Sequence, residues 1–164
     1  MKKTILLLLF VSALISCTTN TNNKKNTALV EKYVQSVESL DYTVMESMLA
    51  DNYMGHGPSV NDSINKEQTL KNWKYNIEHL YESIGYNKSR NIAVAIDSGE
   101  NKGEWVSNWA ELKIVYKKDK KEVVIWANTI YKINDGKIIK SFTFYNEADV
   151  MEQLGYAFIN LNDL

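Results

Sequence analysis

The stretch that decides the fold runs Glu122-Val-Val-Ile-Trp-Ala-Asn-Thr-Ile-Tyr-Lys-Ile-Asn134, then Asp135-Gly136, then Lys137-Ile-Ile-Lys-Ser-Phe-Thr-Phe-Tyr-Asn146. Asp-Gly between two β-branched and aromatic runs is a hairpin signal, because both turn positions need positive φ. With those two residues as the loop, Asn134 faces Lys137, Tyr131 faces Lys140 and Thr129 faces Phe142. Side chains alternate along a strand, so Ile125, Ala127, Thr129, Tyr131 and Ile133 share one face with Ile138, Lys140, Phe142, Phe144 and Asn146. That face carries hydrophobic bulk and ends in an uncharged amide. It is the expected floor of a pocket.

Working outward, a second long strand is expected over Glu104–Tyr116, closed by the charged turn Lys117–Lys121, and a shorter one over Asn91–Asp97. Upstream, Val30, Tyr33, Val34 and Val37 fall at helical spacing in 27–40, with Thr27 as N-cap. Asp41 caps a second helix with Val44, Met45, Met48 and Leu49 as its buried set. Residues 50–58, with two glycines and the chain's one proline around His56, read as an irregular loop. Asn65-Lys-Glu-Gln68 is a capping-box start to a third helix. Its apolar stripe is Leu70, Trp73, Ile77, Leu80 and Ile84, and Gly85 is its end. A short helix over Glu147–Leu154 closes the chain. The expected architecture is α+β: a cone-shaped curved antiparallel sheet with three N-terminal helices packed on its concave face.

The first residues read as a targeting segment. Met1-Lys-Lys is basic, and Thr4–Ile15 is apolar but too short to span a bilayer as a mature helix. Leu14-Ile-Ser-Cys17 resembles the bacterial lipobox, whose cysteine becomes a diacylated N-terminus. Cys17 is the only cysteine, which excludes an intrachain disulfide. Two acyl chains give stable anchoring where one would be marginal. The division is therefore 1–16 signal peptide, 17–26 lipidated flexible tether and 27–164 one folded domain. The tether is polar, with no large apolar residue to bury. Thr18 stands where an aspartate acts as an inner-membrane retention signal. The expected address is the cell envelope, lipid-anchored, at the outer membrane where the host is Gram-negative.

A formal charge of −1 and the lack of a basic stripe argue against nucleic acid. Two histidines and a lipidated cysteine, with no carboxylate at ligand spacing to His56, argue against a metal. No cofactor motif is present. Ten tyrosines and four tryptophans supply amphipathic side chains for lining a cavity.

Three segments carry a family resemblance. Leu49-Ala-Asp-Asn-Tyr-Met-Gly-His-Gly-Pro58 is similar to a "Tyr-x-Gln-His-Asn-Pro" segment after helix two. Tyr131-Lys-Ile-Asn-Asp-Gly-Lys-Ile138 resembles a "Phe-Arg-x-x-Asp-Gly-Lys-Ile" hairpin. Phe142-Thr-Phe-Tyr-Asn146, followed by Met151-Glu-Gln-Leu-Gly155, resembles a "Trp-x-x-x-Asp … Gln-Gln-Leu-Gly" ending. Together they resemble the SnoaL-like polyketide cyclase branch of the nuclear transport factor two-like superfamily. In the cyclases the aspartate of that ending is the general acid/base, and here Asn146 stands in its place. An amide has no titratable proton near neutral pH. Phe142 replaces the family's tryptophan, and Gly55 and Gly57 replace its Gln and Asn.

The ligand-binding set expected on the residues and the resemblance is Tyr53, His56, Trp73, Thr129, Tyr131, Phe142, Phe144 and Asn146. His56 is the one candidate catalytic residue, since an imidazole can donate and accept in one ring. His79 lies off the apolar stripe and faces solvent. Three functions compete: a membrane-tethered protein binding a small hydrophobic or amphipathic ligand without chemistry, an isomerase or cyclase with His56 as base, and a docking module. The outer sheet face, with Val124, Trp126, Asn128 and Ile130 beside Tyr145, Thr143, Ser141 and Ile139, is expected to form a homodimer; a two-residue loop at Asp119-Lys120 adds Trp105, Trp109 and Val115 to it, and a one-residue slip sends those three inward.

Overall fold

The structure, a computed structural model, describes residues 22–160 and 162. The expected signal segment, Cys17 and the first part of the tether lie outside the described residues. In chain order the elements are α1 (22–38), α2 (Tyr42–Met48), β1 (Leu49–His56), β2 (Ser63–Asn65), α3 (Lys66–Tyr75), a π-helical turn (Asn76–Leu80), β3 (Tyr81–Ile96), β4 (Gly103–Tyr116), β5 (Glu122–Asn134), β6 (Lys137–Tyr145) and α4 (Glu147–Gln153). The strands form one curved sheet in the order β2-β1-β6-β5-β4-β3. All neighbours are antiparallel except β1 and β6, which run parallel.

The hairpin forms as read. Asn134 pairs with Lys137, and Asp135 (φ 49°) and Gly136 (φ 71°) both take the left-handed conformation that the two-residue turn requires. The register beyond the turn does not follow. Ile133 pairs with Ile138 but Lys132 pairs with Lys140, so Ile139 is an extra residue in β6. This bulge reverses the face of everything downstream. Ser141, Thr143 and Tyr145 turn inward, opposite Tyr131, Thr129 and Ala127, while Phe142 and Phe144 turn outward, opposite Ile130 and Asn128.

The core lies between the concave face and α1 to α3. Val30, Tyr33, Val34 and Val37 of α1 and Met45 and Met48 of α2 are buried against Val106, Ile114, Tyr131, Ile133 and Ile138 of the sheet. Asp41 caps α2, its carboxylate accepting from the Val44 N–H at 3.0 Å. Asn65 and Gln68 complete the capping box of α3. At the far end Val150 of α4 packs with Val123 and Ile125.

Three boundaries differ from expectation. α1 is already helical at residue 22, so 22–26 are not tether. Thr27 lies inside the helix, its hydroxyl donating to Asn23 O, and the amides of Asn22 and Asn26 both donate to the Glu104 carboxylate. The expected irregular loop is mostly β1, whose backbone is satisfied by the distant β6 and β2. The third helix stops at Tyr75. Ile84 and Gly85 belong to β3, paired with Ile114 and Lys113. Lys117 supports that exit from outside, its ammonium donating to Ile77 O at 2.6 Å and its N–H to Leu80 O at 2.8 Å.

Candidate functional site: a tyrosine-lined cavity

Between the helices and the concave face lies a cavity of about 340 Å³. Tyr33 and Val37 of α1, Thr69 and Trp73 of α3, Tyr53 of β1, and inward side chains from β3 to β6 line it. Seven of the chain's ten tyrosines (Tyr33, Tyr53, Tyr81, Tyr86, Tyr116, Tyr131 and Tyr145) border it. Their rings pair edge to face, Tyr33 with Tyr131 at 5.7 Å and Tyr81 with Tyr116 at 5.6 Å between centroids. Trp73 meets Tyr81 at 6.4 Å.

Burial keeps these phenols neutral. Desolvation pushes the Tyr81 hydroxyl up to about 12, with Tyr116 and Tyr145 adding to it. Tyr33, Tyr86 and Tyr131 are raised further, first by desolvation and then by one another's proximity. The Tyr53 hydroxyl is raised by burial and lies 2.7 Å from Ser141 Oγ. The Thr129 and Thr143 hydroxyls pair at 3.2 Å. The Asn108 amide is tied to Ser89 and Asn91 of β3 at 2.8 and 2.9 Å. Among the described residues no buried side-chain nitrogen or oxygen lacks a partner.

Five of the eight expected ligand-binding residues border this space: Tyr53, His56, Trp73, Thr129 and Tyr131. Phe142, Phe144 and Asn146 do not. The two phenylalanines are carried to the outer face by the bulge at Ile139, and Phe144 is 48% exposed there. Asn146 is the N-cap of α4, its side-chain oxygen accepting from the Asp149 N–H at 3.3 Å. His56 sits at the rim, but it pairs in register with outward-facing Phe142. Its ring stacks on Phe142 with centroids 4.7 Å apart and planes 15° from parallel. Phe142 in turn stacks with Trp105 at 6.3 Å. His79 is exposed, as expected.

The sequence reading missed the inward row of β6, Ser141, Thr143 and Tyr145, because a bulge leaves no local sequence mark. It also missed what fills the places of two glycines. A Cβ on Gly55 would stand 2.7 Å from the Tyr53 hydroxyl, and one on Gly57 would stand 1.8 Å from Asp62 Oδ2. The bare positions are occupied by a phenol and a carboxylate from elsewhere. Asp62 lies on the loop joining β1 and β2, held by its N–H donating to Ser59 O and its carbonyl accepting from the Gly57 N–H.

The fold is that of the nuclear transport factor two-like superfamily. A proposed polyketide cyclase from Xanthomonas campestris pv. campestris superposes with a TM-score of 0.67 at 15% identity, covering 82% of this chain and 99% of its own. Another from Silicibacter sp. TM1040 gives 0.66 at 15% identity, covering 79% of this chain and 94% of its own. An LEH-like epoxide hydrolase of M. tuberculosis gives 0.59 at 13%, covering 81% and 91%. No family model matches the chain, and no curated protein matches its sequence. Identities this low bear on the fold alone. The resemblance read from the three sequence segments and the superposed structures agree on it.

Among the described residues no helix is long and apolar enough to cross a membrane, and no three His, Cys, Asp or Glu side chains converge as a metal site would need.

Proposed function

We propose that this chain is a membrane-tethered small-molecule-binding protein, lipid-anchored through Cys17 in the cell envelope, whose tyrosine-lined cavity holds a small hydrophobic or amphipathic ligand without transforming it. The observation that carries the reading is the cavity itself: set between the helices and the sheet, rich in aromatic side chains, and lined on its polar positions mainly by tyrosine, serine and threonine hydroxyls. The residue in the place of the cyclases' acid/base aspartate is Asn146, which is engaged as a helix cap outside the cavity. The outer face, where Trp126 is 59% exposed and Phe144 48%, supports a homodimer through that surface.

The full chain purified from its host should carry a small organic molecule in native mass spectrometry. Thr129→Trp, which fills the cavity, should lose it. An unliganded wild-type mass, or retention of the molecule by the filled variant, refutes the reading.

One observation favours an isomerase instead: an imidazole, His56, and a carboxylate, Asp62, border the same cavity. No hydrogen bond joins them among the described residues, and the imidazole is engaged with Phe142. Solvent-deuterium exchange at the α-carbon of a bound ketone, abolished in His56→Ala, would decide for chemistry.

A further inference from the structure

The lining of the cavity has a sign. Neither lysine nor arginine is among the residues that border it, its one imidazole, His56, is stacked on Phe142, and Asp62 is its one carboxylate. That carboxylate does not project at random from a loop. Its Oδ2 occupies the place where a side chain on Gly57 would stand, just past the end of β1, and Gly57 lines the cavity with Gly55 and Tyr53 of that strand. Tyr145 borders the same space, and the Asp62 charge is near enough to contribute to raising its hydroxyl. The lining also includes seven tyrosines and Trp73. An anionic ligand would meet a like charge at the entrance and no cation beyond it. A neutral ligand would leave the exposed carboxylate to solvent and gain nothing from it. A cation would find both a counter-charge and aromatic faces.

We propose that the ligand is an organic ammonium, its charged nitrogen held at the rim by Asp62 and its apolar body laid among the tyrosine rings. This rests on the small-molecule-binding reading above and adds the ligand's charge to it. Gly57 then has a reason to be glycine, because any larger residue would displace the carboxylate from the rim.

The test titrates the full chain calorimetrically with three probes of similar size and different charge: 2-phenylethylammonium, 2-phenylethanol and 3-phenylpropionate. The ammonium should bind about tenfold more tightly than the alcohol, as an ion pair with an exposed carboxylate combined with one cation–π contact requires. The carboxylate should bind most weakly. Asp62→Asn should remove the tenfold preference by bringing the ammonium's affinity down to that of the alcohol. Gly57→Ala, which alters no charge, should weaken the same preference by pushing the carboxylate aside. Alcohol and ammonium binding equally to the wild type would overturn the proposal while leaving a binding cavity in place. A preference that survives Asp62→Asn would overturn it too. Binding of none of the three would remove the binding reading and the proposal together.

Discussion

Raising the pH should unfold this domain through its cavity, in one step between about pH 11 and 12. In the folded chain Tyr33, Tyr86 and Tyr131 have hydroxyls held well above the ordinary tyrosine range by burial, and Tyr81 is pushed up to about 12. Below about pH 10 these groups are protonated in both folded and unfolded chains and contribute nothing to pH dependence. Above it the unfolded tyrosines release protons that the folded ones keep, so the unfolded state is favoured as pH rises. Each retained proton costs about 1.4 kcal/mol of stability per pH unit. Tyr81 alone would cost about 3 kcal/mol by pH 12, where its own folded hydroxyl begins to titrate and the loss levels off. Tyr33, Tyr86 and Tyr131, whose hydroxyls are raised as well, add to this loss in the same direction, against a domain stability of about 5–15 kcal/mol. Tyrosinate absorbance at about 295 nm and far-ultraviolet circular dichroism should therefore change together for these residues, cooperatively. Tyr131→Phe should flatten the pH dependence by about 1.4 kcal/mol per unit. Smooth titration of all ten tyrosines near pH 10, with the dichroism unchanged to pH 12, would refute the account of buried, neutral phenols.

Asn146→Asp should fold normally, because aspartate caps a helix as well as asparagine does, and should show no cyclase turnover; robust turnover would show that this position can act on the cavity's contents after all. Asn146→Ala should cost about 1 kcal/mol in denaturant melts through the lost cap. Cys17→Ser should leave the full chain unlipidated and out of the membrane fraction, and globomycin should cause the wild-type precursor to accumulate; unchanged processing and partitioning would count against the anchor. Trp126→Glu should shift a dimer to a monomer in sedimentation without loss of structure, and a wild type already monomeric at about ten to a hundred micromolar would exclude the dimer.

What could be read from the sequence was what short-range chemistry specifies. Asp135-Gly136 needs two positive φ angles and obtains them, and Asp41 and Asn65 cap the helices that follow them. The inward set of β5, from Ile125 to Ile133, was legible because that strand has no bulge within it. The errors came from long-range partners. Residues 50–56 look irregular alone, yet become a strand because β6 offers them a parallel edge. Ile84 continues the helical spacing of Leu70 and Trp73 by coincidence, while its pairing with Ile114 places it in a strand. One extra residue at Ile139 exchanged Phe142 and Phe144 for Ser141 and Thr143. It changed the expected pocket floor from phenyl rings to hydroxyls.

The same distinction applies to the candidate site. By sequence, Gly55 and Gly57 are subtractions: two polar side chains of the resembled family are gone, and the chemistry seems to go with them. In space a glycine on a cavity wall is a vacancy that a neighbour can enter, and both vacancies are filled. The Tyr53 phenol lies over Gly55 and is fixed by Ser141, a residue that faces inward only because of the bulge. The Asp62 carboxylate lies over Gly57, and the loop that carries Asp62 is closed by that glycine's own N–H. The replacements therefore act as a set. Restoring a side chain at either glycine would not return the family's site, because Tyr53 or Asp62 would first have to leave. Gly55→Ala makes the point without any ligand. The added methyl must move the Tyr53 ring off Ser141, leaving a buried hydroxyl unpaired at a cost of about 1–3 kcal/mol. Removing the hydroxyl first, in Tyr53→Phe, should reduce that penalty, because no buried hydrogen bond is then left to break. Equal penalties in the two backgrounds would mean that Gly55 and Tyr53 are not coupled, and that the glycine's emptiness serves some other purpose.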